Sequence, residues 1–218
     1  MIIAIDGPSG SGKSTLGRML ARALKLLYID TGSMYRAVAL ATIQARVDPN
    51  DKEAVTALAN RIEIDLEGDP ESLSVLLNGR DVTDQIRTEN VTAMSSIVST
   101  IPGVRRAMVE RQRAIGKRGA VLNGRDIATV VFPDADVKFF LTAAPEERAE
   151  RRYKEDQLTT HSSTYAETLA DMIERDRRDS TRVDSPLKVA EDAIVIDSTG
   201  KSIDEVFEEM ISHVHRNY

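Results

Sequence analysis

The segment Gly7-Pro8-Ser9-Gly10-Ser11-Gly12-Lys13-Ser14 lies between the apolar run 2–5 and an amphipathic stretch that begins at Lys13. It satisfies every fixed position of the Walker A pattern, G-x-x-x-x-G-K-[ST], in the strand-to-helix setting that the pattern requires. Such a loop needs glycines so that its N–H groups can turn toward phosphate oxygens, and the positive end of a helix dipole behind it. Lys13 then reaches the β- and γ-phosphates, Ser14 offers its hydroxyl to Mg2+, and Thr15 carries the loop into the helix. Residues 7–15 are therefore the expected binding segment for ATP with Mg2+.

The rest of the chain fits around that loop. Further apolar runs at 26–29, 120–122, 137–141 and 193–196 alternate with helical patterns at 13–25, 32–46, 103–116, 145–155, 165–180 and 202–215. The alternation predicts an α/β fold, a P-loop NTPase with a five-stranded parallel sheet flanked by helices. From 61 to 88 the period changes: Ile62, Ile64 and Leu66, then Leu73, Val75 and Leu77, alternate with polar residues, which predicts a small antiparallel insertion. Residues 157–164 are polar and aperiodic between Arg-rich helices and read as a mobile loop, a candidate lid. The pentapeptide Leu-Asn-Gly-Arg-Asp occurs at 77–81 and again at 122–126. The first copy follows an alternating strand and reads as a turn, whereas the second ends a wholly apolar strand, so we treat the recurrence as coincidence.

A chain of 218 residues, 41% apolar, can bury one full core. It holds no apolar run near 18 residues, and Asp6 cuts the first run too soon for a signal peptide, so a cytoplasmic protein away from membranes is expected. Without cysteine there is no disulfide or thiolate chemistry. A net charge of −6 argues against nucleic acid polymers as partners, and any anionic ligand must meet a local basic pocket. Arginines do cluster, at Arg148, Arg151 and Arg152 and at Arg175, Arg177, Arg178 and Arg182.

The second apolar run ends in Asp30, and Thr31, Tyr35 and Arg36 follow it. The strand end of a parallel sheet faces the ligand crevice, so these three line the cleft of the phosphate loop. Arg36 there is either a two-bond phosphate clamp or a solvated side chain. Arg125 and Asp126 emerge at the same edge, as readers of a base or ribose or as a mutual surface ion pair. Arg175, Arg178, Asp179 and Arg182 fall within about 100° of arc on one helix face. Three like charges with one carboxylate call for an absent anion, and phosphoryl transfer needs such charges. Lys13, Arg125 and Arg178 are the candidate catalytic cations. His161, His213 and His215 are too scattered for a metal site and are assigned to the surface. P-loop proteins include switches, motors and kinases. The guanine-reading tetrapeptide Asn-Lys-x-Asp is absent, which favours a kinase.

Linked motifs sharpen this. Ile5-Asp6-Gly7-Pro8-Ser9-Gly10, Asp30-Thr31-Gly32-Ser33-Met34-Tyr35-Arg36, Ile86-Arg87-Thr88, Gly124-Arg125-Asp126, Thr129-Val130-Val131-Phe132-Pro133-Asp134-Ala135 and Glu174-Arg175-Asp176 stand in order along nearly the whole chain, which resembles the bacterial cytidylate (CMP) kinase family. The resemblance implies a monomer that phosphorylates CMP or dCMP with ATP. It implies one domain, with core 1–60, 101–147 and 183–218, an NMP-binding insertion at about 61–100 and a helical lid at about 148–182. It implies that Ser96, Arg105 and Asp126 read cytosine and that Arg36 and Arg125 hold the acceptor phosphate. Asp179 would bind ribose, with Arg175 and Arg182 near the phosphates, and the lid following Arg148 would close over ATP. Asn123 departs from the acidic residue that relatives usually carry before Gly-Arg-Asp, which puts any help to Mg2+ in question. A kinase for another small acceptor, such as UMP or a hydroxy acid, and a nucleotide switch remain the alternatives.

Overall fold

The five apolar runs pair with one another as a single parallel sheet. The computed structural model describes residues 1–157 and 163–217. Its elements begin β1 (Ile2–Asp6), α1 (Lys13–Leu24), β2 (Leu27–Asp30), α2 (Thr31–Gln44), α3 (Lys52–Arg61), β3 (Ile64–Glu67), β4 (Ser74–Leu77) and β5 (Arg80–Asp81). They continue α4 (Glu89–Val98), α5 (Pro102–Gly116), β6 (Ala120–Gly124), β7 (Val137–Thr142), α6 (Pro145–Gln157), α7 (Tyr165–Thr181), β8 (Ile194–Asp197) and α8 (Ile203–Asn217). The sheet runs β2-β6-β1-β7-β8 with every neighbour parallel.

Alternation along β1 divides the interior in two. Ile3 and Ile5 pack with Leu16 and Leu20 of α1 and Val206 and Met210 of α8. Ala4 turns the other way, into a cluster with Met34 and Val38 of α2 and Val104 and Met108 of α5. A strand buried on both faces needs no polar side, so these runs read as continuously apolar. Register then sets the site: Asp6 lies beside Gly124 and Asp30 beside Asn123, so the segments that follow β1, β2 and β6 open at one edge.

The expected antiparallel unit is a three-stranded sheet, β3-β4-β5. In the first Leu-Asn-Gly-Arg-Asp copy, Asn78 (φ 50°) and Gly79 (φ 74°) both adopt the left-handed conformation that a two-residue hairpin demands. The second copy stays in β6 through Gly124 and then enters a π-type turn at Ile127–Val131. One pentapeptide thus serves two geometries, because the flanking strands select the backbone path.

Two helices and this turn were not expected from periodicity. The antiparallel part of the 61–100 segment ends at Asp81, and Glu89–Val98 is helical. Its Asn, Thr, Val and Ser residues are weak helix formers, and packing against α2 holds it in place. α3 carried a readable signal: the Asp51 carboxylate caps it, accepting from the Ala54 N–H at 2.9 Å. Of the expected mobile loop, residues 158–162 lie outside the described residues. Thr164 and Glu167 form a capping box that starts α7. Among the described residues no helix is long and apolar enough to cross a membrane.

Candidate active site

The phosphate loop is bent by its glycines. Gly7, Gly10 and Gly12 all have positive φ, at 150°, 70° and 87°. A Cβ on Gly7 would stand 2.1 Å from the Leu141 carbonyl oxygen, so the loop reaches β7 only without a side chain there. Gly7→Ala is expected to cost about 1–3 kcal/mol of strain and to lower the melting temperature by several degrees. Nucleotide binding should fall with it, and thermal melts with and without ATP would show both.

Lys13, at the first position of α1, is buried and folds back over the loop to donate to the Pro8 carbonyl and, at 3.3 Å, to Ser11 Oγ. Burial, joined by the positive charges of Arg125 and Arg175, pushes its ammonium well below the ordinary value. Ser14 Oγ accepts from Asn123 Nδ2 at 3.0 Å, while the buried Asn123 Oδ1 has no hydrogen-bond partner. Thr15 is exposed on the first helical turn.

Across the cleft, α2 places the acceptor-side residues. The Asp30 carboxylate caps the helix through the Gly32 N–H at 3.0 Å and accepts from Arg36 Nη2 at 3.1 Å. Thr31 is buried and donates its hydroxyl to the Asn123 carbonyl at 2.7 Å, which ties α2 to β6. The Tyr35 ring lies under the Arg105 guanidinium, 5.5 Å from centroid to Cζ, and burial raises its phenol to about 12.

Arg105, 2% exposed on α5, is bonded to Asp126 Oδ2 and donates to the Ser99 carbonyl at 3.1 Å. Arg182 approaches the other Asp126 oxygen at 4.0 Å and Asp179 at 3.6 Å, and Arg125 holds Asp179 at 2.8 Å. Asp179 is burdened by burial, but Arg125, Arg175 and Arg182 keep its carboxyl below the ordinary range. Arg125 and Asp126 are therefore not a mutual pair: each reaches a partner on another helix. Arg178 donates to Ser96 Oγ at 2.9 Å, linking α7 to α4, whereas Ser95 turns its hydroxyl into its own helix toward Thr92. Among the described residues Arg175 has neither a hydrogen bond nor an ion pair. Burial, together with Arg125, lowers its guanidinium to about 10.

The second arginine arc is differently placed. Arg148 is 5% exposed and points inward, donating to the Ala143 carbonyl at 3.0 Å, the Ser9 carbonyl at 2.8 Å and Asp176 at 2.6 Å. Asp176 in turn accepts from the Ser9 N–H at 3.1 Å. Arg151 donates to the Ser198 carbonyl at 2.8 Å and to its hydroxyl at 3.0 Å. These two arginines brace the loop and the sheet edge rather than standing as free cations in the cleft. His215 is exposed, as expected, but His213 is half-buried with its ring edge-on to Phe139, and His161 lies outside the described residues. Sequence reading passed over Asp6 and Asp176. The available signal was a carboxylate ending a buried strand and another beside an arginine stripe.

Asp6 is 1% exposed, and its two oxygens accept the N–H groups of Ile127 at 2.9 Å and Ala128 at 2.8 Å. Burial raises its carboxyl from 3.8 to about 6, against the pull of those two N–H groups. Between those values the unfolded chain has released this proton and the folded chain has not, so the contribution of Asp6 to stability falls as pH rises and is constant above about 6. The stability of the parent relative to Asp6→Asn is expected to be higher at pH 4 than at pH 7, shrinking by roughly 2 kcal/mol between them. Urea unfolding at each pH measures this, and a difference flat with pH would contradict it.

Comparison with known proteins agrees with this architecture. The family described as cytidylate kinase matches residues 3–216. A cytidylate kinase of Citrifermentans bemidjiense is 49% identical over 215 residues, 98% of this chain and 92% of its own. One from Halalkalibacterium halodurans is 47% identical over 98% of this chain and 97% of its own. A solved structure of an uncharacterized protein from Eubacterium ventriosum superposes with a TM-score of 0.56 at 12% identity, covering 99% of this chain and 98% of its own, a likeness of fold alone. With a match across nearly its whole length and relatives near half identity, the chain belongs to the cytidylate kinase family.

Proposed function

We propose that this enzyme transfers the γ-phosphoryl group of ATP to CMP or dCMP, giving CDP or dCDP and ADP. The observation that carries the reading is Arg175, a guanidinium with no hydrogen bond or ion pair among the described residues, within electrostatic reach of Lys13, Arg125 and Arg36 as well as of Asp179. Like charges do not gather at one edge of a sheet for stability; their arrangement suits an anion delivered by the substrates.

The attacking group is an oxygen of the acceptor phosphate, already anionic, so no side chain has to act as a strong base. The γ-phosphorus–oxygen bond to ADP breaks as the new bond to the CMP oxygen forms, and negative charge spreads over the moving group. Lys13, Arg125 and Arg178 would hold that charge, residues 7–15 would cradle the donor, and Arg36 and Arg125 would orient the acceptor phosphate. Asp179 with Arg175 and Arg182 would take the ribose and phosphate edge. Asp126 and Arg105, with Ser96, would read the base. The 4-amino group of cytosine donates to a carboxylate, whereas the 4-oxo group of uracil turns lone pairs toward it.

Ser14 fits Mg2+: a hard oxygen beside a second, unpartnered oxygen on Asn123 suits a cation that keeps its waters and binds substrate phosphates. When bound, Mg2+ neutralises phosphate charge. Among the described residues no group of three or more His, Cys, Asp or Glu is placed to hold a metal. We read the 61–100 segment as the acceptor-binding insertion, 148–182 as the lid, and one cytoplasmic chain as the working unit.

The test is diphosphate production from Mg-ATP with CMP, dCMP, UMP, AMP and GMP offered separately at equal concentration. CMP and dCMP are expected to dominate. Inertness toward all five with ATP still bound would overturn the reading.

A further inference from the structure

Asp6 belongs to the strand that feeds the phosphate loop, yet its side chain serves the other half of the cleft. The two N–H groups it accepts belong to Ile127 and Ala128, the residues that directly follow Arg125 and Asp126. Those N–H groups open the Ile127–Val131 turn, whose backbone returns to the Asp126 carbonyl through Val130 at 2.9 Å and Val131 at 3.2 Å. Two consecutive donors at the start of a helical turn are an anion seat, and here a carboxylate from a neighbouring strand fills it.

The next peptide after Asp6 is Gly7, whose path is fixed by close contact with β7. One residue therefore connects the donor loop by covalent bonds and the acceptor-reading turn by two hydrogen bonds. The base-reading side chains reach away from the sheet, Asp126 to Arg105 and Arg125 to Asp179, and Arg113 of α5 holds the far end of the turn through the Val131 and Val130 carbonyls at 2.8 and 2.6 Å, whereas Asp6 ties the first two N–H groups of the turn to the sheet. The charges facing Asp6 are Asp126, from the turn, and Lys13, from α1.

We infer that Asp6 is a positioning residue for the acceptor: by clamping the Ile127 and Ala128 N–H groups it holds Arg125 and Asp126 at a fixed offset from the phosphate loop. A displacement of about 1 Å in such a constellation can cost about a hundredfold in rate. This inference rests on the proposed phosphorylation of CMP. It does not involve any contact of Asp6 with substrate.

Asparagine at this position keeps one acceptor and turns an N–H group against a backbone N–H, so one of the two clamps is lost. Serine keeps one acceptor on a shorter arm. In Asp6→Asn, and separately in Asp6→Ser, KM for CMP is expected to rise at least about tenfold and the CMP-to-UMP preference to fall by a similar factor. The Kd of a non-hydrolysable ATP analogue is expected to change by less than about threefold, because no loop N–H group depends on the Asp6 carboxylate, which reaches the donor side through its charge on Lys13 alone. A merely structural role would loosen both substrates together or neither. Unchanged KM for CMP in a folded variant, or equal losses for CMP and for the ATP analogue, would overturn the inference. Amide hydrogen exchange of the unsubstituted protein decides the matter even where both variants fail to fold. Ile127 and Ala128 are expected to be as protected as the β1 amides, and free exchange there would also overturn it. If the unsubstituted protein phosphorylates no nucleoside monophosphate, the functional reading fails, and the exchange measurement still judges the clamp.

Discussion

Asp126→Ala is expected to damage both the fold and the specificity of the enzyme. Arg105 is 2% exposed, and among the described residues its one ion pair is with Asp126, so the substitution strands a buried guanidinium. Breaking a buried pair from one side costs about 3–5 kcal/mol, which for a chain of this size lowers the melting temperature by roughly 10 °C. The same carboxylate is the proposed acceptor for the 4-amino group of cytosine. A site that loses its hydrogen-bond partner forfeits discrimination on the order of 10³-fold or more, so kcat/KM for CMP is expected to fall by that order and to approach the value for UMP. Calorimetry and steady-state kinetics with both acceptors measure the two effects. A stable variant that still prefers CMP would show that Asp126 neither balances Arg105 nor reads the base.

Lys13→Ala is expected to do the opposite to stability while abolishing most turnover. The ammonium is buried beside Arg125 and Arg175, and its depressed basicity means that the fold disfavours its charge. Removing it should leave the melting temperature unchanged or higher, the pattern of a residue kept for activity at the expense of stability. Catalysis depends on the charge that burial resists: with a preorganised cation gone from the transferring phosphoryl group, kcat is expected to fall about 10³-fold. KM for CMP should change little, because no acceptor-side contact runs through Lys13. A variant that melts much earlier, or that keeps its kcat, would contradict this account.

The contrast between these two sites follows what the chain made legible. Residues 7–14 were readable because a phosphate loop is local: its glycines, lysine and serine act within one turn of backbone, and φ values of 70° and 87° at Gly10 and Gly12 accord with glycine at those places. The five strands were readable for the same reason, since burial on both faces writes itself as an apolar run. The helix at Glu89–Val98 was not, because its Asn, Thr, Val, Ser and Ile residues are weak helix formers and packing against α2 supplies what they lack. Among the arginines, residue type and spacing on α7 pointed to a cationic face, but not to which member would have no hydrogen bond or ion pair among the described residues.

By itself, then, the sequence determined the α/β order, the phosphate loop and the family to which the chain belongs, because these rest on short-range pattern and on motifs in succession. Tertiary structure alone decided the partners. Asp6 meets Ile127 across 121 residues, Ser9 meets Asp176 across 167, and Arg125 meets Asp179 across 54. It also turned Arg148 inward onto the loop and left Arg175, among the described residues, with no hydrogen bond or ion pair beside the charges of Arg125 and Asp179. Hydrogen bonds and ion pairs select whichever group the packed core brings within about 3 Å, and sequence periodicity carries no information about distance between elements that are far apart in the chain.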